Sequence, residues 1–114
     1  MTIKIIKDHI SQEELQRVAA ETFVTMVKAV VDVGQGMVAL GGELHADGEA
    51  ELLKVGSKQE DLWGINIYPN QLKDDRIEYV SLINIRPTLG SNSMEVEDQN
   101  IRDRIKEIVD KLFE

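Results

Sequence analysis

The sequence predicts an α+β domain over residues 1–114. Its sheet is a single, mainly antiparallel layer in the order β-α-β-β-α-β-β-α, with the helices packed on one face. Three observations predict this. Ser11-Gln12-Glu13-Glu14 is a capping box ahead of an amphipathic stretch; two β-branched runs flank Gly34-Gln35-Gly36; and Ile65-Asn66-Ile67-Tyr68-Pro69 is nearly repeated by Ile83-Asn84-Ile85-Arg86-Pro87. Strands joined by short turns, with helices set between hairpins, favour antiparallel pairing.

Thr2 to Ile6 alternates loosely and is expected to be a short edge strand. Ser11 is the N-cap of the first helix, with Glu14 reaching back to it. Leu15, Val18, Ala19, Thr22 and Phe23 share one helical face, so the helix is expected over Gln12 to Val24. Met26 to Val33 and Met37 to Leu40 form a hairpin across the glycine turn. A short helix is expected from Asp47, as N-cap, to Val55, with Gly56 as its stop. Ser57-Lys58-Gln59-Glu60 also reads as a capping box, but a strand follows it, so at most a single turn is expected. The next strands are Leu62 to Tyr68 and Ile77 to Arg86. The last helix opens at Asp98 and carries Ile101, Ile105, Ile108, Val109 and Leu112 on one stripe.

Parity assigns the faces of the last two strands, because side chains alternate. Trp63, Ile65, Ile67, Ile77, Tyr79, Ile83 and Ile85 fall on the core side, leaving Asn66, Tyr68, Glu78, Asn84 and Arg86 outward. A turn near Asn70 to Arg76 sets Asn66 opposite Val80 and Asn84 opposite Leu62, too far apart to form one site. Asparagine is disfavoured in strands. Two of them between isoleucines need partners if anything covers that face, since an unpaired buried amide costs about 1–3 kcal/mol.

Composition excludes several function classes. With 42% hydrophobic and 30% charged residues the balance is that of a globular chain, long enough to bury a core without a metal or disulfide. There is no cysteine, which removes disulfides, zinc ribbons and thiol catalysis. The formal charge of −8 is concentrated at residues 43–61 and 95–114, and no basic stripe of the nucleic-acid-binding kind is present. No apolar run approaches the roughly 20 residues of a membrane span. The expectation is a cytoplasmic protein without nucleic-acid or membrane partners, cofactor or bound metal.

Two constellations can carry chemistry. Glu43, His45 and Asp47 place an imidazole among carboxylates, suited to a general base or a small-ligand pocket. Their spacing matches no metal motif, and the bland reading has the acids solvating a loop above a pocketed histidine. Arg86 leads into Pro87-Thr88-Leu89-Gly90-Ser91-Asn92-Ser93, where backbone amides beside a guanidinium suit a small anion. It lacks the lysine of a P-loop. Lys28 and Asp32 share an outward parity and are expected to form an exposed ion pair.

The strings Gly41-Gly42-Glu43-Leu44-His45-Ala46-Asp47, Gly56-Ser57-Lys58-Gln59, Leu62 to Pro69 and Ile83 to Pro87 resemble a family of short prokaryotic proteins classed as a domain of unknown function. The resemblance implies a free-standing protein and transfers no catalytic residues. The functional expectation is a module that docks a partner, most simply a second copy, through the outward sheet face. Leu62, Val80 and Leu82 would supply apolar contact there, and Asn66, Tyr68, Asn84 and Arg86 hydrogen bonds. The alternative is a small-ligand binder or hydrolase-type enzyme whose pocket gathers Glu43, His45, Asp47, Asn66 and Arg86.

Overall fold

A computed structural model describes residues 2–114. The elements are β1 (Lys4–Ile6), α1 (Gln12–Ala20), β2 (Val27–Asp32), β3 (Met37–Leu40), α2 (His45–Lys54), β4 (Leu62–Ile67), β5 (Ile77–Glu78) and α3 (Gln99–Leu112). Single 3-10 turns occupy Gln59–Asp61, Leu82–Asn84 and Pro87–Leu89. The α+β class and the antiparallel sheet are as the sequence predicts, with spatial order β1-β3-β2-β4-β5. The β2–β3 hairpin pairs Asp32 with Met37. Asp32 makes that turn: its Oδ1 accepts from the Gly34 and Gln35 amides, both at 2.9 Å, as short acidic side chains do in Asx-turns. Its Oδ2 accepts from Ser57 Oγ at 2.6 Å, which ties the end of α2 to the hairpin. The expected ion pair with Lys28 is absent among the described residues, because Asp32 is buried and committed to these donors.

One face of the sheet carries Val27, Ala29, Val31, Ile65 and Ile67 against Leu15 and Val18 of α1 and Ile105, Ile108, Val109 and Leu112 of α3. The opposite face carries Val30, Ala39 and Leu62 against Leu52 of α2. Gly48 brings α2 close, since a Cβ there would lie 3.1 Å from Val30 Cγ2. The helices therefore cover both faces, not one. The reason lies in β2, which does not alternate: every residue except Lys28 is buried, and a strand apolar on both sides needs cover on both.

The expected strand from Ile77 to Arg86 ends at Glu78. Ile67 pairs with Ile77, Tyr68 N–H donates to the Arg76 carbonyl at 2.8 Å, and Asn66 lies opposite Glu78 instead of Val80. The backbone then leaves the sheet, bridges Val80 to Glu95, and turns at Leu82–Asn84, where Ser81 Oγ accepts from Ile83 N at 3.2 Å. Asn84 is fully buried, not solvent-facing. Its Oδ1 accepts from Gly64 N–H at 2.8 Å, and its Nδ2 donates to the Gly64 and Met94 carbonyls, both at 3.0 Å. A side-chain amide has the same donor and acceptor as a peptide unit, so Asn84 continues the β4 edge that β5 abandons. Gly64 permits it: a Cβ there would stand 2.4 Å from Ser81 Cβ.

Local signals set the helix ends. Ser11 Oγ accepts from Glu14 N at 3.1 Å, but the Glu14 carboxylate pairs with Lys4 instead of reaching back. That ammonium holds the Glu14 carboxyl below the usual carboxylate range. Helix α1 stops at Ala20, short of Val24, which closes the end with φ 67° and an N–H bond to the Ala19 carbonyl at 2.8 Å. Left-handed backbone is costly for a β-branched residue. Helix α2 starts at His45 with Leu44 as its cap residue, so Asp47 sits inside the first turn. Gly56, at φ 100°, ends it as expected. Asp98 caps α3 through Asn100 N at 2.8 Å. The buried Arg76 fixes the C-terminus, donating to the Glu114 carbonyl at 2.8 Å and to Asp110 Oδ1 at 3.3 Å.

Asn84→Ala removes three hydrogen bonds and strands the Gly64 N–H and C=O, so it should lower unfolding free energy by about 3 kcal/mol in urea titrations. Asn66→Ala, at a partly exposed position, should cost less than about 1 kcal/mol. Equal costs would contradict the assignment.

Candidate functional site

The two covers on the second face, α2 and the turn at Leu82–Asn84, touch but do not close over the whole face. Between them lies a groove of about 430 Å³. Its base is a pair of strand residues facing each other, Lys28 on β2 and Asn66 on β4. One wall is the start of α2, with Leu44, His45 and Ala46; the other is Val80 to Ile83, with Met94 beside it. The lining is mainly apolar, and it includes no acid among the described residues. Leu82 and Leu44 on the rim are 71% and 58% exposed.

Each polar group in the groove has a defined state. His45 is buried and its Nε2 donates to the Ile65 carbonyl at 2.7 Å; a carbonyl can only accept, which fixes the Nε2–H tautomer. Burial pushes the His45 pKa below its ordinary 6.5 and the nearby Lys28 charge pushes the same way, while the Ile65 carbonyl and Asn66 oppose the shift. Lys28 has no carboxylate partner among the described residues, and its Nζ lies 5.3 Å from the centre of the Phe23 ring. Asn66 Nδ2 donates to Glu78 Oε1 at 2.8 Å, and its Oδ1 is buried without a protein partner. Tyr68 Oη donates to the same Glu78 oxygen at 3.3 Å. Burial and then the Glu78 charge raise the Tyr68 pKa.

The structure brings His45 and Asn66 together and separates the rest of the predicted set. Glu43 and Asp47 are exposed and line a different hollow, with Ile3 and Lys54. Arg86 lies 4.4 Å from the centre of the Trp63 ring and donates to the Gln59 carbonyl, so it faces neither the groove nor the loop that follows it. Burial lowers its pKa, and Glu49 partly restores it. Trp63 is on the α1 and α3 side, as parity predicts, though only half-buried. Asn84 is structural. Among the described residues, no group of three or more His, Asp or Glu is placed to hold a metal ion, and no helix is long and apolar enough to cross a membrane.

Sequence reasoning missed Lys28 as a groove residue, together with Leu44, Ala46 and Met94. One signal was present: Lys28 is the single charge inside an otherwise apolar stretch, Met26 to Val31.

A family model described as "Protein of unknown function (DUF5674)" matches residues 4–112. The chain belongs to that family. No curated protein and no solved structure matches it. The family match spans every element that builds the groove, from β2 to the Met94 segment.

The depressed pKa of His45 has a stability consequence. Between 6.5 and its lower folded value, the unfolded chain binds the proton that the folded chain refuses, so stability is full above about pH 6.5 and falls as pH drops through this window. In His45→Gln this component is gone. The gap in urea midpoint between wild type and variant should narrow from about pH 7.5 to pH 5; an unchanged gap would refute a neutral buried histidine.

Proposed function

We propose that the chain is a binding protein for a small, largely apolar molecule held in the groove between α2 and the Leu82–Asn84 turn. The observation that carries this is the groove itself: about 430 Å³, mainly apolar lining, and four polar side chains, Lys28, His45, Asn66 and Ser81. Small-molecule sites have this size and this mixture, in which apolar area supplies affinity and a few fixed polar groups supply orientation. The walls come from three separate chain segments, each pinned by its own hydrogen bonds: His45 to Ile65, Asn84 to Gly64, and Met94 to both Asn84 and Ser81. A groove built this way is largely pre-formed, which lowers the ordering cost of binding.

Self-association is the second reading, favoured by the exposed Leu44 and Leu82. A second copy laid across the rim would cover both, at the same groove and not over an open sheet face, since α2 and the turn already occupy that face.

One set of samples tests both. Titration of 1-octanol into isotopically labelled protein should move the amide resonances of Leu44 to Ala46, Asn66 and Ser81 to Ile83 together. Ala46→Trp, an exposed wall position, should fill the groove and weaken this response at least about tenfold without unfolding the chain. Wild-type resonances that stay still, or a tryptophan variant that responds equally, would overturn the ligand reading. Sedimentation equilibrium of the same two proteins decides the second: a dimer that Ala46→Trp dissociates supports it, and a monomer sinks it.

A further inference from the structure

We infer that the groove's ligand carries a carboxylate, and that Lys28 is its counter-ion; this rests on the groove reading above. The distribution of charge points to it. The chain holds 21 acidic residues against 13 lysines and arginines, yet among the described residues the groove lining has no acid and one lysine. Six of the thirteen bases, Lys4, Arg17, Lys54, Arg76, Arg104 and Lys106, pair with carboxylates; Lys28 is among the seven that do not, and of those seven it alone lines the groove. Its neighbours do not replace an anion. The Phe23 ring offers a weak cation–π contact at 5.3 Å. Glu21 and Glu43 line an adjoining hollow that Lys28 also borders, but neither lies within ion-pair distance of it. Glu78, the acid nearest Asn66, is taken by Asn66 and Tyr68.

The placement of this ammonium is fixed by the fold. Lys28 is the only residue of β2 that is not buried, because it points from a central strand into the gap that α2 and the turn leave open. The Lys28 side chain lines the groove with Met26, Leu44 and Leu82 and brings the one formal positive charge to a mainly apolar trough. The matching ligand has the same polarity: a carboxylate at the Lys28 end and a hydrocarbon body along the walls. A phosphate head fits less well, since no arginine fork lines the groove to grip it. Lys28 is partly buried and, among the described residues, no carboxylate lies within ion-pair distance of it, so a pair formed there is stronger than one on open surface.

Octanoate and 1-octanol, which share a tail and differ at the head, separate the two proposals when titrated at pH 7 and low salt into wild type and Lys28→Met. Wild type should bind octanoate about tenfold tighter than octanol, a difference of about 1.4 kcal/mol. In Lys28→Met the two should bind within about twofold of each other, because methionine keeps an apolar stem but has no charge with which to prefer the carboxylate. The wild-type preference should also shrink as salt is raised. Equal binding of octanoate and octanol to wild type would overturn the carboxylate proposal and leave the groove reading standing. A preference that survives in Lys28→Met would overturn the role of Lys28. Binding of neither molecule would overturn both.

Discussion

The Asn84 amide bonded to both the N–H and the C=O of Gly64 is the interaction on which the second face of this protein is built. β4 needs a partner along its outer edge, and β5 supplies one only at Asn66 and Ile67. Beyond that point an unpaired buried N–H and C=O would each cost on the order of 1–3 kcal/mol. A side chain arriving from a tight turn removes the cost without a strand, and it frees the backbone to fold over the sheet. The third bond, to the Met94 carbonyl, fastens the returning segment at the same point. One buried amide thus fixes an edge, a turn and a loop.

The groove follows from this arrangement. Had Ile77 to Arg86 continued as a strand, the second face would have carried α2 and open sheet. Instead the Leu82–Asn84 turn stands opposite the start of α2, and the base between them is made by Lys28 and Asn66. His45 fixes the other wall by donating to Ile65 on the same strand that Asn84 holds through Gly64. Both walls are therefore anchored to β4, to residues adjacent in the chain. Any ligand seated between them reads a spacing set by that strand.

Much of this was legible in the sequence, and what was legible was local. Ser11 and Asp98 cap helices through bonds spanning two or three residues, and Gly56 stops α2 with its own φ. The β2–β3 hairpin is readable because its turn glycines and apolar flanks are contiguous. Asn84 was misread because Ile-Asn-Ile alternates like a strand, and parity cannot tell an amide facing water from one facing a backbone. Gly64 held the corrective signal: a glycine inside a strand commonly marks the close approach of another segment. The second-face position of α2 was also legible in principle, since β2 has apolar residues at both parities. The groove was not, because Lys28, His45 and Val80 to Ile83 come together only through the two turns. Arg86 illustrates the same limit. Its charge suggested an anion near the following loop, whereas the fold turns it back over Trp63.

Amide hydrogen exchange at Gly64 isolates the founding interaction. With its N–H held by Asn84 Oδ1 at 2.8 Å, Gly64 should exchange as slowly as the paired amides of β2 and β4, although no strand lies on its outer side. In Asn84→Ala that single protection should collapse while the β2–β4 ladder keeps most of its own. Exchange at Gly64 in the wild type as fast as at exposed loop amides such as Asn92 would show that the edge is open, and the turn, the groove and its walls would lose their basis.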